Sequence, residues 1–252
     1  MELDPRRVAM LQEMGLRLLP PVRPPQAPAA LPVPAARAET LRPPPAQQPV
    51  RVLGDRPSGV AGMGWDELAA AVAGCRACGL CEGRRNTVFG VGPAQADWMV
   101  IGEAPGENED QQGEPFVGQA GKLLDNMLRS VGLDRRRNVY IANVLKCRPP
   151  GNRNPEPQEV AQCEPFLRRQ VELVRPRMIL AMGRFAVQTL LQSQDPIGRL
   201  RGRAHQYQGV PVVVTYHPAY LLRNLADKSK AWADLCLAMD LLENGSQDSS
   251  GR

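Results

Sequence analysis

Four cysteines have a spacing that suits a metal centre. Cys75 and Cys78 form a CxxC pair, and Cys147 and Cys163 follow with fifteen residues between them. Four thiolates can hold a tetrahedral zinc ion or a [4Fe–4S] cluster, and spacing alone does not separate the two. Cys81 lies near the pair and is a candidate substitute ligand. Unligated buried thiols are the alternative to a structural metal.

A glycine-punctuated acidic segment offers a second kind of chemistry. Residues 102–106 read GEAPG and directly follow a β-rich run. Gly102 would let the backbone approach a ligand closely, whereas the acidic neighbours argue against a phosphate site. Glu103 is a candidate base, water-positioning group or stabiliser of positive charge, and a solvated loop carboxylate is the alternative. Phe116, in a polar loop flanked by glycine, could stack on a planar ligand.

Two more segments carry groups that could recognise a nucleobase and its phosphates. Asn143 offers an amide donor and acceptor, as reading a base edge requires, although capping local backbone is an equal alternative. The basic loop 146–155 could contact phosphates. His217 could donate a hydrogen bond to a developing anion. Residues 220–223 (YLLR) suit a wedge between stacked bases, unless the leucines begin a helix that faces the core.

The elements that must position these groups alternate along the chain. Four β-rich runs are predicted at residues 98–102, 139–145, 178–182 and 210–216, and helical periodicity at 120–131, 156–174 and 184–191. This alternation predicts an α/β fold, a three-layer α/β/α sandwich with a mainly parallel four-stranded sheet. In such sheets the ligand site lies beyond the carboxyl ends of the strands. We therefore expect residues 103–106, 143–154 and 217–223 to share one rim.

The N-terminal quarter of the chain differs in composition. Residues 20–60 are rich in Pro, Ala and Arg, which predicts a disordered tether. Residues 1–19 have Val8, Leu11, Met14 and Leu18 at helical spacing, which predicts a short amphipathic helix. This helix either docks on its own domain or frays in solvent, or it binds a protein partner. The folded domain is predicted to span residues 61–245, followed by a disordered tail over 246–252.

Charge and hydropathy restrict the class of protein. The net charge of +5 permits an anionic partner without requiring one. No apolar run is long enough to cross a membrane, and no signal peptide is recognisable, so we expect no membrane partner and a cytoplasmic location. Thiols stay reduced there, which favours metal ligation or buried thiols over disulfides.

Taken together, these segments resemble the family 4 uracil-DNA glycosylases, the iron–sulfur branch of their superfamily. The resemblance runs from about Gly74 to Leu242. Each motif alone is weak, but the ordered set is specific. The matching text comprises the CxxC pair, GEAPG at 102–106, Glu109-Asp110, PFVG at 115–118, Asn143, KCRPP at 146–150, Asn152-Arg153, Cys163, and HPAYLLR at 217–223.

The resemblance implies a function and a set of roles. The protein would hydrolyse the N-glycosidic bond of flipped-out uracil in single- or double-stranded DNA, act as a monomer and associate with the nucleoid. Catalytic roles would fall to Glu103, His217 and Asn152. Uracil would contact Gly102, Phe116 and Asn143, and DNA would contact Arg153, Leu221, Leu222 and Arg223. A [4Fe–4S] cluster would be held by Cys75, Cys78, Cys147 and Cys163.

Three alternatives remain open from the sequence. The first is a non-catalytic DNA-binding or polymerase-associated module on the same fold. The second is a zinc-stabilised hydrolase that acts on another nucleoside or base. The third is broader specificity that includes hypoxanthine or xanthine. The basic insertion ending in histidine that marks the covalently trapping relatives is not recognisable, so turnover is expected.

Overall fold

The computed structural model describes residues 57–249, with side chains described through residue 244. The helix predicted over residues 1–19, the tether up to residue 56 and the last three residues of the predicted tail lie outside the described residues. Two boundaries differ from prediction. Val60 lies in a 3-10 turn, Val60–Gly62, and is buried beside Leu68, so order begins before residue 61. The last helix extends to Ser249, into the predicted tail, because a helix once formed gains one hydrogen bond per added residue.

A single mainly parallel sheet forms the middle layer. The strands lie in the order β2-β1-β3-β5-β4. Pairing is parallel except between β4 and β5, which form an antiparallel pair at one edge. The five strands are β1 Trp98–Gly102, β2 Val139–Asn143, β3 Met178–Met182, β4 Ala204–Tyr207 and β5 Val210–Thr215.

The fifth strand corrects the expectation of four. β4 reads Ala-His-Gln-Tyr and alternates exposed with half-buried positions, so it lacks the apolar run that marks the other four strands. An edge strand needs only one paired side and can remain polar on its solvent face, which explains why hydropathy did not reveal it. β1, β2 and β3, in contrast, are buried along their whole length.

Helices cover both faces of the sheet and confirm the three-layer architecture. They are α1 Trp65–Ala73, α2 Leu80–Gly83, α3 Glu107–Gln112, α4 Gln119–Ser130, α5 Pro157–Val174, α6 Arg184–Leu191, α7 Ile197–Leu200, α8 Pro218–Leu221 and α9 Lys228–Ser249. One face packs against α5 and α6, the other against α4 and α9. Leu68 and Val72 of α1 pack with Phe166 on α5. Among the described helices, none has the length and apolarity needed to cross a membrane.

Candidate active site

The carboxyl ends of the parallel strands open into a cavity of about 450 Å³. The cavity brings together segments that follow β1, β2 and β5, which confirms the expected shared rim. Seven of the predicted site residues line it: Glu103, Phe116, Asn143, Asn152, Arg153, His217 and Arg223. A cavity of this size can enclose a nucleotide-sized ligand. The structure brings these seven residues together, and the individual roles expected of them stay predictions.

Phe116 is held in a backbone conformation that few residues adopt. Its φ is 55°, in the left-handed region, and its side chain is buried. The Arg135 guanidinium donates to the Pro115 and Phe116 carbonyl oxygens at 3.1 and 2.9 Å, and it pairs with Asp125 at 2.7 Å. A Cβ at Gly121 would collide with the Phe116 carbonyl group. The surrounding structure therefore fixes the ring against the local backbone preference.

Gly102 explains how Phe116 and Asn143 come to lie side by side. A Cβ at Gly102 would lie 2.5 Å from both the Asn143 Oδ1 atom and the Phe116 Cζ atom. Asn143 is 1% exposed, and its Oδ1 has no hydrogen-bond partner. An unsatisfied buried acceptor costs about 1–3 kcal/mol, so its presence in a cavity wall points to a ligand that donates to it. Gly102 contributes by having no side chain, which leaves space for the Phe116 ring and the Asn143 amide.

Glu103 stands at the mouth of the same cavity. Burial raises the pKa of its carboxyl to about 7, and the nearby positive charge of Arg184 partly opposes that rise. Desolvation disfavours a carboxylate, so the group changes its charge near neutral pH. A carboxyl with such a pKa can act as a base or, when ionised, stabilise a cation. Glu103 is half-buried, so part of its surface still meets solvent, as the alternative of a loop carboxylate requires.

His217 is a neutral imidazole that can donate one hydrogen bond. Burial and the charge of Arg223 lower its pKa to about 4. Its Nδ1 accepts from the Ala219 backbone N–H at 3.2 Å, so the proton of the neutral ring is at Nε2. The ring centroid lies 5.5 Å from that of Phe116. A Cβ at Gly183 would lie 3.0 Å from the His217 Cβ, so this glycine leaves room for the imidazole.

The loop after β2 supplies Asn152 and Arg153. Both side chains are held by hydrogen bonds within the protein, and Arg153 is held by more of them. Asn152 has a φ of 55°, and its Oδ1 accepts from Arg148 Nε at 2.7 Å. The Arg153 guanidinium makes two hydrogen bonds, at 2.9 and 2.5 Å, to the buried carboxylate of Glu159. Arg153 thus anchors the loop to the start of α5, and much of its charge is already matched.

The predicted wedge needs a correction at Leu221. Leu221 is 1% exposed, because it is the last residue of α8 and faces the protein interior. Leu222 is 42% exposed, and Arg223 lines the cavity and is exposed. The alternative, in which both leucines begin a core-facing helix, is wrong about the helix, because Leu221 ends α8, and right about the inward direction for Leu221 only. The surface available for a wedge is therefore Leu222 with Arg223.

Glu109 shapes the site and was not among the predicted site residues. Its Oε1 accepts from the Val117 and Gly118 backbone N–H groups at 2.9 and 3.1 Å, and Oε2 accepts from Gly106 N–H at 3.1 Å. One carboxylate thereby joins the loop after β1 to the segment that carries Phe116. The available sequence signal was its position three residues after Gly106, where a carboxylate caps a helix start.

Five cysteines line a second, much smaller cavity. Its volume is about 10 Å³, the room taken by one water molecule. The cysteines are Cys75, Cys78, Cys81, Cys147 and Cys163. Burial raises the pKa of Cys78 to about 11 and that of Cys163 to about 12. Within residues 57–249, no three acidic, histidine or cysteine side chains converge in a way that would hold a single metal ion.

A buried lysine connects this second cavity with the first. Lys146 is 1% exposed, and its Nζ donates to the Asn143 carbonyl oxygen at 2.8 Å and to Gln170 Oε1 at 2.6 Å. Burial lowers its pKa to about 7. Gln170 in turn donates to the Tyr140 hydroxyl at 3.0 Å. Sequence reasoning treated Lys146 as part of a solvent-facing basic loop, and its burial beside Cys147 could not be read from composition.

Comparison with known proteins decides the family. The sequence profile of the uracil DNA glycosylase superfamily matches residues 89–236. The type-4 uracil-DNA glycosylase of Archaeoglobus fulgidus is 47% identical over 165 residues, which cover 62% of this chain and 82% of that protein. This chain belongs to the type-4 uracil-DNA glycosylase family. The resemblance inferred from the motifs is thereby confirmed.

Two further type-4 uracil-DNA glycosylases support this membership. The Thermotoga maritima protein is 44% identical over 163 residues, covering 64% of this chain and 84% of that protein. The Pyrobaculum aerophilum protein is 39% identical over 183 residues, covering 69% and 93%. The profile match includes every predicted residue of the cavity, whereas Cys75 and Cys78 precede it.

We expect Gly121→Ala to disturb the loop that carries Phe116. The added methyl group would meet backbone atoms, which cannot move aside as a flexible side chain can. The expected loss in free energy of unfolding, measured by urea denaturation, is about 3 kcal/mol. Gly198→Ala is the matched control, because Gly198 also lies in a helix and has open space around it. Equal stability of the two variants would contradict this account of the loop.

Proposed function

We propose that this protein hydrolyses the N-glycosidic bond of uracil flipped out of DNA and leaves an abasic site. The observation that carries the proposal is the arrangement around Phe116. A half-buried carboxyl (Glu103), a neutral histidine (His217) and an unsatisfied amide oxygen (Asn143) line one cavity in a member of the type-4 family. These are the groups needed to hold a planar base and to stabilise charge as its bond to the sugar breaks.

Recognition of the base falls to Phe116 and Asn143. A flipped uracil would stack on the Phe116 ring, and its N3–H would donate to Asn143 Oδ1 while the Asn143 amide donates to O4. Cytosine presents an acceptor at N3 and a donor at N4, so both contacts would be lost. Because the acceptor is buried, a base that leaves it unpaired binds less tightly, which provides the discrimination.

Bond cleavage separates charge across the cavity. The electron pair of the bond between C1′ and N1 departs with the base, which places negative charge on the uracil and positive charge on the sugar. His217 Nε2–H would donate to the developing anion at O2 without transferring its proton, consistent with a pKa of about 4. The ionised Glu103 would stabilise the cationic sugar. Each group thus acts more strongly on the transition state than on the substrate.

Water completes the reaction. Its oxygen bonds to C1′, its hydroxyl remains on the sugar, and the released proton balances the charge of the uracil anion, with Glu103 as the group that accepts it first. Asn152 would hold this water or the sugar. The products are free uracil and an abasic site, so the reaction balances without an oxidant or a reductant.

The exposed residues next to the cavity would contact DNA. Leu222 would occupy the gap left by the flipped nucleotide, and Arg223 would meet a phosphate. Flipping costs a few kcal/mol, and least for a mispaired or single-stranded base, so both forms of DNA are substrates in this proposal. We place the protein in the cytoplasm at the nucleoid, as a monomer. The six cysteines of the described residues form no disulfide bond.

We further propose that Cys75, Cys78, Cys147 and Cys163 hold a [4Fe–4S] cluster. The donor set, and not the volume between the sulfurs, fits a group that requires thiolates: four cysteines lie together, and Arg84 Nη1 donates to Cys147 Sγ at 3.1 Å, which would stabilise its charge. Clusters of this kind are held by four cysteine thiolates, which is the number that the proposed set supplies. The cluster would have a structural role, linking α2 and the segment before it to α5.

The experiment that tests the activity is base release from a labelled oligonucleotide with one uracil. We expect alkali-labile cleavage at uracil and none with cytosine or thymine in its place. His217→Gln should lower the rate of the chemical step on the order of 100-fold or more. A correctly folded protein that binds the oligonucleotide without releasing base would favour the non-catalytic module. Release of hypoxanthine or xanthine would broaden the specificity without changing the site.

We expect the rate to depend on pH through Glu103. Burial raises its pKa to about 7, and the ionised form stabilises the sugar cation, so kcat/KM should rise with pH and level off above about 7. Glu103→Gln should lower kcat/KM and remove this rise, because the amide does not titrate. A rise centred near pH 7 that persists in Glu103→Gln would assign the titration to another group.

Iron and labile sulfide analysis tests the cluster. We expect both elements at four per chain in anaerobically purified protein, together with visible absorption that is lost in Cys163→Ser. Cys163 is fully buried, so its serine variant also requires a folding check by circular dichroism. Cys236→Ser is the control, because Cys236 lies on α9 away from this cavity. Stoichiometric zinc with no labile sulfide would replace the cluster with the zinc alternative.

We expect Lys146→Met to impair base recognition. The methionine retains an apolar stem of similar size but leaves the Asn143 carbonyl oxygen and Gln170 Oε1 without their donor. A loss of about 1–2 kcal/mol in transition-state stabilisation corresponds to roughly a tenfold lower kcat/KM for uracil. Binding of a uracil-free oligonucleotide should not change, because Lys146 does not reach the surface. Lys146→Arg should recover part of the activity; equal activity of Lys146→Met and wild type would contradict the positioning role.

A further inference from the structure

Three large apolar side chains of the described residues are exposed, and all lie in one short stretch. Leu222 is 42% exposed, Leu225 65% and Trp232 48%. A single exposed apolar residue is ordinary, whereas several within eleven residues indicate a contact surface. This stretch immediately follows the segment that carries His217, so the exposed surface begins where the candidate active site ends.

Helical geometry places Leu225 and Trp232 on one face. The 3-10 turn Leu225–Asp227 continues directly into α9, and Lys228 at the junction has right-handed helical φ and ψ. Residues seven apart in a helix share a face and lie about 10 Å apart along the axis. Lys228 lies between them on that face. Ala231 and Leu235, which adjoin this face on the side of the sheet, are buried, whereas Leu225, Lys228 and Trp232 are exposed. Leu225, Lys228 and Trp232 thus form a solvent-facing strip, called here the α9 strip.

The α9 strip is joined rigidly to the wall of the cavity. Tyr220 lines the cavity, and its hydroxyl donates to Asp227 at 2.6 Å. Its ring stacks on that of Tyr216, with centroids 5.0 Å apart. The hydrogen bond of Tyr220 links the cavity wall to Asp227, which lies between Leu225 and Lys228 of the α9 strip.

The charges near the α9 strip favour a nucleic acid over a protein as its occupant. Lys230 forms an ion pair with Asp227 at 2.8 Å. The charge of Asp227, the one acidic side chain of the 3-10 turn, is therefore neutralised. Arg223 and Lys228 are exposed at either side of Leu225. An exposed indole with neighbouring cations is the combination that binds single-stranded nucleic acid, because bases stack on the ring while the cations meet phosphates.

We propose that the α9 strip binds the DNA strand flanking the flipped nucleotide, with an unpaired base stacked on Trp232 and a phosphate at Lys228. This proposal rests on the proposed function for the choice of DNA as ligand. It adds a contact outside the cavity and outside the wedge. It implies that single-stranded DNA, whose bases are free to stack, gains more from this surface than duplex DNA.

The test uses a labelled single-stranded oligothymidylate and a duplex of the same length, both without uracil. Trp232→Ala should weaken binding of the single strand about tenfold, since stacking contributes about 1–3 kcal/mol per base. The effect on the duplex should be smaller. Trp232→Phe should retain most of the affinity because it retains a ring. Asn244→Ala is the control, because Asn244 is an exposed neutral residue near the other end of α9.

Two further readouts separate direct contact from an indirect effect. Tryptophan fluorescence should be quenched by the oligothymidylate in wild type and not in Trp232→Phe, because Trp98 is buried and Trp65 half-buried. Lys228→Gln should reduce the slope of log affinity against log salt by about 0.7, the value for one single-strand phosphate contact. Affinity and quenching that do not change in any of these variants would overturn the proposal.

The outcome does not depend on catalysis. Because the probes contain no uracil, loss of single-strand binding in Trp232→Ala would support the α9 strip even if wild type released no base. Conversely, base release by wild type together with unchanged binding in Trp232→Ala would support the proposed function and overturn the α9 strip.

Discussion

The ammonium of Lys146 donates to the Asn143 carbonyl oxygen and to Gln170, and it lies next to Cys147 in the chain. Few groups are as costly to bury as a charged amine, so its position is fixed by the need to satisfy its donors. One hydrogen bond holds the end of β2, where Asn143 faces the cavity. The other reaches α5, which carries Cys163. The cysteine-lined cavity and the base-sized cavity therefore share one polar connection.

Much of this arrangement could be predicted from sequence because its signals are local. The apolar runs of β1 and β3 were predicted residue for residue, since parallel strands buried on both faces leave an uninterrupted pattern. The shared rim then followed from parallel topology, which brings the ends of distant strands together. The roles of Glu103, Asn143 and His217 came from their positions at strand ends together with the family motifs.

The features that sequence reasoning missed depend on tertiary contacts. Leu221 and Leu222 are identical in type and adjacent, yet one is buried and one exposed, because the short helix α8 turns only one of them inward. β4 is polar because it is an edge strand, which pairs with one neighbouring strand only and exposes its other side to solvent. Glu109 and Arg135 act on backbone groups of a loop whose path is not encoded in any periodicity.

The conformation of Phe116 has a consequence for how the protein can change. A φ of 55° costs about 1–3 kcal/mol in a residue other than glycine, whereas truncating a buried phenylalanine costs about 3–5 kcal/mol. The ring that offers a base a flat surface is therefore also a part of the core, packed with the side chains of α4. A substitution that removes the ring loses stability and stacking together, so selection for a stable fold alone would also retain a large apolar side chain at this position.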